Sequence, residues 1–360
     1  MKITDALRRL FRRRLTINWV VPEPSPGAGG DTGLFRIARY LAEFGHLCRV
    51  YVVSWGRLEG YSTEQIRAYM RQHFGATRAE YFMWNETVAD ADATVATFWP
   101  TAELVAKLPN GGRRFYMVQD YEPSFYPGDE FHTNRAENTY RLGFHCITLG
   151  PWLAQLLREQ FRATASYFDF AVEREIYRPR PAARAGKQRV CFYARPATPR
   201  RAYALGVEAL RLVKEEQPKV EIVLFGAEDL TPVPPFEFVQ RGLLKPEELA
   251  QLFSSSTVGL VLSLSNPSFV PLEMMACRCA VVEIASERWE GVLTHGENAW
   301  LAEPNAPALA EAMLRLLRDS ELREKIAENG LRHAQTLHWR DSARQVEAVL
   351  LRFCSGAATP

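Results

Sequence analysis

No apolar run in this 360-residue chain reaches the ~20 residues that a helix needs to cross a bilayer. A membrane-spanning protein is therefore excluded from this reading. Cysteine is sparse, with six in all: Cys48, Cys146, Cys191, Cys277, Cys279 and Cys354. None forms a C-x-x-C pair, and Cys277 and Cys279 have neither a second pair nor a nearby histidine to complete a zinc site. No secretory signal opens the chain. Buried free thiols in a reduced, cytoplasmic compartment are the expectation. The seven histidines show no H-E-x-x-H spacing. A G-x-S-x-G elbow and a P-loop are also missing, which removes the common serine-hydrolase and P-loop nucleotidase classes. An overall excess of one charge is lacking too, the net being +2. Apolar content of 47% and charged content of 24% rule out a disordered chain, a collagen-like chain and a coiled-coil rod.

The charge that is present is unevenly placed. Residues 1–16 carry Lys2, Arg8, Arg9, Arg12, Arg13 and Arg14 against Asp5 alone, which leaves a mildly acidic body. On a helical wheel Ile3, Ala6, Leu7, Leu10 and Phe11 share one side, and Arg8, Arg9, Arg12 and Arg13 the other. Residues 1–14 thus read as a basic amphipathic segment that lies on an anionic membrane surface, docks a partner, or is simply solvated. No second basic patch in the sequence supports nucleic-acid binding.

Strand-like runs alternate with helical patterns along the rest. LTINWVV (15–21) is followed by a Gly/Pro loop and an amphipathic stretch over 32–46, where Leu34, Ile37, Ala38 and Leu41 recur at helical spacing. The alternation continues through 48–55, 62–74, 93–99, 113–120, 144–150 and 152–161. It pauses over 168–188, a Pro-, Arg- and Ala-rich stretch read as a linker, and restarts at RVCFYAR (189–195). The boundaries expected are a first domain over 15–168, a linker over 169–188 and a second domain over 189–338. A closing segment over 339–360 would pack back on the first domain. Repeated strand–helix alternation implies α/β architecture, with two Rossmann-like parallel-sheet domains facing a cleft. Such a cleft suits a group transfer, one substrate to each domain, although fold alone does not establish it.

Three loops carry candidate chemistry. PEPSPGAGGDTG (22–33) holds Gly29 and Gly30 ahead of a helix N-terminus, where backbone can approach an anion. Its spacing is not G-x-G-x-x-G, and no acid ends the second strand, so dinucleotide binding is disfavoured; a plain turn would look the same. In RVCFYARPATPRRA (189–202), Arg195 and Arg200 are five apart across a turn and could both meet a diphosphate. A solvated basic turn has the same residues. In SLSNPSFVPLEMMACRCAVVE (263–283), Ser268, Phe269 and Val270 begin a helix whose free amides suit a phosphate. Glu273 in its first turn could accept a ribose diol or merely complement the helix dipole.

That third stretch resembles the nucleotide-sugar signature of glycosyltransferase family 4, retaining enzymes of the GT-B fold. The family pattern is E-x7-E followed by an A-x-G-x-P-V-V run. Glu273 matches the second Glu, ACRCAVV (276–282) the run, and Ser265 stands where the first Glu belongs. ARPATPR (194–200) is similar to the family's diphosphate clamp, with Arg200 at the Lys position. FGAED (225–229), with Gly226, resembles its glycine loop, and RGLLKPEELAQLF (241–253), with Leu243, the stretch that lines the base. YMVQDYEPSFYPGDEFHTNRAENTYRLGFHCITLGPWL (116–153) resembles bacterial polysaccharide rhamnosyltransferases, whose donor is dTDP-L-rhamnose. Rhamnose lacks the 6-hydroxyl, so one carboxylate fewer at Ser265 is consistent with it.

The resemblance implies a retaining glycosyltransferase that moves a sugar, L-rhamnose on this reading, onto a growing bacterial surface glycan. Asp120, Arg195 and Arg200 are the expected catalytic group. Gln119, Tyr121, Glu122 and Tyr126 are expected to hold the acceptor, with Tyr121, Phe125 and Tyr126 either stacking on sugar rings or anchoring their loop. No cofactor or metal is expected, the arginine pair supplying the positive charge. Asp90-Ala91-Asp92 spells a D-x-D metal motif but precedes its strand, at the wrong edge of the sheet. The expected partners are a nucleotide-sugar donor and a glycan acceptor that could be lipid-linked. The inner face of the cytoplasmic membrane would be reached through residues 1–14. A nucleotide-sugar epimerase or hydrolase of the same fold, and a non-catalytic glycan-binding module, are the rivals.

Overall fold

Two runs of buried, β-branched and aromatic residues head the two halves of the chain. TINWVV forms β1 (Thr16–Val21), and RVCFY forms β8 (Arg189–Tyr193). The computed structural model describes residues 13–27, 29–75, 78–180 and 187–354. The basic segment expected over 1–14 therefore lies outside the described residues, apart from Arg13 and Arg14.

Around β1 assemble β2 (Leu47–Val52), β3 (Glu80–Met83), β4 (Ala93–Ala96), β5 (Arg113–Val118), β6 (His145–Leu149) and β7 (Ala165–Phe168), all parallel. Their order is β3-β2-β1-β4-β5-β6-β7. The helices between them are α1 (Gly29–Glu43), α2 (Thr63–Phe74), α3 (Trp99–Lys107), α4 (Glu130–Thr139) and α5 (Pro151–Phe161). The second sheet joins β8 to β9 (Glu221–Phe225), β10 (Val239–Gln240), β11 (Val258–Leu260), β12 (Ala280–Ile284) and β13 (Trp300–Ala302), in the order β10-β9-β8-β11-β12-β13. Its helices are α6 (Tyr203–Glu216), α7 (Pro246–Ser255), α8 (Val270–Ala276), α9 (Ala306–Arg318) and α10 (Ser320–Ala334), and α11 (Trp339–Cys354) closes the chain. In each sheet the strand order reverses beside the first strand, so crevices open at the carboxyl ends of β1/β4 and β8/β11.

The alternation leaves out the short strands β3, β7, β10 and β13, and the pattern after RVCFYAR suggests one helix over 199–216. That helix is interrupted. A single 3-10 turn, Pro199–Arg201, ends at Ala202 in the left-handed region (φ 45°), and α6 starts only after it. The expected linker is not a bare tether either. Phe170, Ala171, Val172 and Tyr177 are buried and join one apolar cluster that runs from Trp19 and Leu34 to Leu272 and Trp339. The two domains therefore share a core.

The last helix belongs to the first domain by contact. Ala343, Val346 and Leu350 are buried along it, and α11 lies on α1 and β7. Ser342 Oγ donates to the Asp169 carbonyl at 2.8 Å. His46 Nδ1 accepts from the Leu15 amide at 3.0 Å, which leaves Nε2 to donate to Glu347 Oε1 at 3.0 Å. All six cysteines are free thiols, and five of them are buried. Among the described residues no helix is long and apolar enough to cross a membrane.

Candidate active site

β5 ends at Val118, and the next two residues reach the opposite domain. Both carboxylate oxygens of Asp120 are engaged there. Oδ1 accepts from the amides of Tyr121 and Asn266, each at 2.8 Å. Oδ2 accepts from Arg200 Nε and Ser265 Oγ, each at 3.1 Å. Asn266 Nδ2 donates to the carbonyls of Gln119 at 2.8 Å and Leu149 at 3.1 Å. One carboxylate and one amide thus fasten the strand ends of the two sheets together. Asn266 was not among the expected residues, since an Asn before Pro267 reads as a turn former and gives no hint of a partner across the cleft.

Arg200 sits on the 3-10 turn after β8, and its guanidinium lies 4.1 Å above the Phe125 ring. Burial lowers its pKa, and Asp120 opposes that shift. Its terminal nitrogens make no hydrogen bond to the described residues; only Nε is engaged. Arg195 is not in the Asp120 cluster. Its guanidinium lies 5.9 Å from the Tyr193 ring centre. Gly226 (φ +105°) makes room for that ring, because a Cβ there would come within 2.7 Å of it. Arg201 turns inward and donates to Ser263 Oγ at 2.7 Å. Glu283 Oε1 takes the amides of Ser263 and Ile284, each at 2.9 Å, and burial pushes its carboxyl up to about 8. This Arg201–Ser263–Glu283 set fixes the loop after β11 from beneath. It escaped the sequence reading because Glu283 lies inside an apolar strand run.

The loop after β11 leads through Ser265 to α8. Ser268 Oγ is buried without a hydrogen-bond partner among the described residues, an arrangement that suits a ligand oxygen. Because α8 is only seven residues long, Phe269 and Val270 offer local amides rather than a long helix dipole. Glu273 is half-buried, and burial pushes its carboxyl up to about 7, against the pull of Arg36 and a hydrogen bond from Tyr177. Its neighbours come from α1 and the linker, so both chain segments converge on the expected ribose position. Leu243 is 62% exposed, with its amide held by Glu228 Oε1 at 2.9 Å.

Several expectations need correction. Gly29 and Gly30 form the first turn of α1 rather than an open loop, and a Cβ at Gly29 would stand 3.5 Å from Phe269 of the second domain. At Gly33 a Cβ would meet Gln119, Trp339 and Phe269 at 3.1–3.3 Å, so the lack of side chains lets α1 approach the other domain. Gln119, expected to hold an acceptor, donates instead to the Gly30 carbonyl at 3.0 Å. Glu122, expected likewise, is buried: Oε2 accepts from the Trp99 amide and the Tyr116 hydroxyl, each at 2.7 Å. It caps α3, whose N-cap Phe98 offers no side-chain bond of its own. Burial pushes the Glu122 carboxyl up to about 8. Tyr121 donates to Glu137 Oε1 at 2.9 Å, and Tyr126 accepts from Trp99 Nε1 at 2.9 Å. Those rings anchor their loop, because a connection over the sheet must cover its own apolar floor. Among the aromatics here, Phe131 is 64% exposed and joins His132 edge-on at 5.2 Å.

The D-x-D pair sits at the amino ends of the strands. Asp92 Oδ2 accepts from the Thr16 amide at 2.8 Å, and Asp90 Oδ1 from Asn110 at 2.8 Å. Both acids hold turns, far from the cleft.

Known proteins resemble this chain in sequence and in fold. Residues 188–314 match the family model described as "WsaF, C-terminal domain". Over 270 residues, 72% of the chain, the sequence is 34% identical to the O-antigen biosynthesis protein RfbC of Myxococcus xanthus; the match spans 21% of that longer protein. Among solved structures, the sucrose-phosphate synthase of Thermosynechococcus elongatus superposes with a TM-score of 0.72 at 16% identity, covering 95% of this chain and 100% of that one. Anabaena HepE in complex with UDP-glucose gives 0.72 at 15%, covering 94% and 99%. A TarM variant from S. aureus, in complex with Fondaparinux, alpha-GlcNAc-glycerol and UDP, gives 0.75 at 9%, covering 94% and 99%. At these identities the likeness establishes architecture: this chain has the two-domain GT-B fold of glycosyltransferases, and its second domain carries the match to the WsaF C-terminal domain.

Proposed function

We propose that the protein is a glycosyltransferase of polysaccharide assembly, moving a sugar from a nucleoside diphosphate to a hydroxyl on a growing glycan. The observation that carries this reading is the Asp120–Arg200–Ser265–Asn266 cluster, which places a carboxylate and a guanidinium face to face at the crevices of both sheets. The O-antigen relative and the UDP-bound neighbours of the same fold support it.

As the anomeric bond breaks, negative charge grows on the departing diphosphate. Arg200, still holding two terminal nitrogens in reserve, and Arg195 beside Tyr193 would neutralise that charge, together with the amides at 268–270. Arg200 would leave Asp120 for the phosphate, and Asp120 would then be released to orient the acceptor hydroxyl. Glu273 is assigned to the ribose and Leu243 to the face of the base. Transfer with retention, by same-face attack in which the leaving phosphate takes the acceptor proton, follows the family 4 resemblance. With two arginines at the diphosphate, no metal is required by this scheme.

Ser265 supports the rhamnosyl assignment. It replaces the family's first Glu, and its hydroxyl points to Asp120 of the opposite domain. A donor without a 6-hydroxyl would need one carboxylate fewer at this position. A thermal-shift panel of dTDP-L-rhamnose, UDP-glucose and GDP-mannose tests the assignment. The largest stabilisation is expected from dTDP-L-rhamnose; preference for either other donor would overturn the rhamnosyl reading and leave the transferase standing. Release of free nucleotide at full rate without acceptor would instead indicate a hydrolase.

A further inference from the structure

We propose that the amino-terminal edge of the seven-stranded sheet, at the pole of the molecule remote from the cleft, docks on an anionic lipid bilayer. Parallel strands collect all their amino ends on one side, and here those ends are basic. Arg13 and Arg14 precede β1, Arg78 precedes β3, Arg113 opens β5, Arg141 lies before β6, and Arg162 lies before β7; all six are exposed. Lys107, at the end of α3, joins them.

The acids at the same edge are fewer than the cations, and of them Glu43, Glu80 and Asp92 meet a cation. Glu80 pairs with Arg49 at 3.7 Å, Asp90 accepts from Asn110, Asp92 holds Thr16 and Arg13, and Glu159 accepts from Gln155 at 2.9 Å. Two further arginines, Arg158 and Arg352, act on a buried histidine near this edge. His145, at the start of β6, is pushed down to about 4, first by burial and then by Arg352 and Arg158.

Leu142, 39% exposed, stands between Arg141 and Gly143 on this rim and gives the surface an apolar contact that a nucleic-acid backbone would not use. The chain also enters here. Residues 1–12, which carry Lys2, Arg8, Arg9 and Arg12, precede Arg13 in the sequence and lie outside the described residues. A cluster of arginines with interspersed apolar side chains is the composition that anionic lipid surfaces retain.

The placement sets a distance. α11 begins at Trp339, 5.1 Å from Phe269 at the cleft, and ends at Cys354, whose carbonyl accepts from Arg13 Nη1 at 3.1 Å. Sixteen helical residues span ~24 Å. Docking by this pole therefore holds the cleft ~24 Å or more above the lipid, within reach of an extended glycan rather than of a sugar at the membrane surface. The surface itself does not rest on the transferase reading.

The test is co-sedimentation of the full chain with vesicles of phosphatidylcholine alone and with added phosphatidylglycerol, at low and high salt. Retention is expected only with phosphatidylglycerol, with release by salt. The double substitution Arg113→Glu and Arg141→Glu should weaken retention by roughly tenfold or more, while circular dichroism and nucleotide-induced thermal shift stay unchanged. Equal binding to both vesicle types would overturn the proposal, as would wild-type retention of the double variant. So would retention that disappears on deletion of residues 1–12 yet ignores the pole substitutions, or binding of RNA in place of vesicles.

Discussion

At the scale of single residues, Arg200 and Asp120 are coupled, and substitutions should separate their roles. Arg200→Ala is expected to lower kcat on the order of 10²–10³-fold with little loss of thermal stability, since the side chain hydrogen-bonds only Asp120 and otherwise rests on the Phe125 ring. Steady-state kinetics beside a melting curve checks both halves. Glu273→Gln keeps the Tyr177 contact within reach but removes the charge, so nucleotide binding measured by calorimetry should weaken; unchanged affinity would remove Glu273 from the donor site. Glu122 and Glu283 present a different case. Both are buried carboxyls held near 8, well above the unfolded value, so the folded state retains protons that the unfolded state has released. Stability should therefore fall as pH rises from about 4.5 to about 8. Glu122→Gln preserves the acceptor oxygen for Trp99 and Tyr116 and should flatten that slope in a series of melting curves.

At the scale of elements, the alternation of strands and helices was legible because buried parallel strands read as apolar runs, and β1, β8, β9 and β12 are nearly all interior. The short strands were not legible. β10 is two exposed residues and β7 only four, too few to carry a pattern. The donor-side stretches can be proposed in order along the chain because the loops after β8 and β11 follow apolar strand runs. On the acceptor side, Tyr121, Glu122 and Tyr126 have the chemistry of a glycan site, yet their polar atoms hold the loop after β5, while Gln119 donates to the Gly30 carbonyl. Glycine spacing was half legible. Gly33 reads as a helical residue, yet its lack of a side chain matters only against Gln119, Trp339 and Phe269, distant in sequence. Gly206 makes the point within one domain: a Cβ there would come within 2.2 Å of the Phe192 ring. Gly206→Ala should cost about 1–3 kcal/mol, read from denaturant unfolding.

At the scale of the molecule, the two domains are fastened where the substrates must enter. Asp120 and Asn266 bridge them, the linker and α11 share their core, and Arg200 lies at the seam with its side chain 26% exposed. Asn266→Ala removes two cross-domain hydrogen bonds, each worth about 1 kcal/mol, and should enlarge the radius of gyration seen by small-angle scattering in the absence of ligand. The central claim is that this crevice binds a nucleoside diphosphate through Arg200. Calorimetric titration of dTDP, UDP and GDP into the wild type and Arg200→Ala tests it most directly. The account predicts saturable binding of at least one of the three, weakened tenfold or more in the variant (about 1.4 kcal/mol). Binding of none, or equal binding to both proteins, would contradict it.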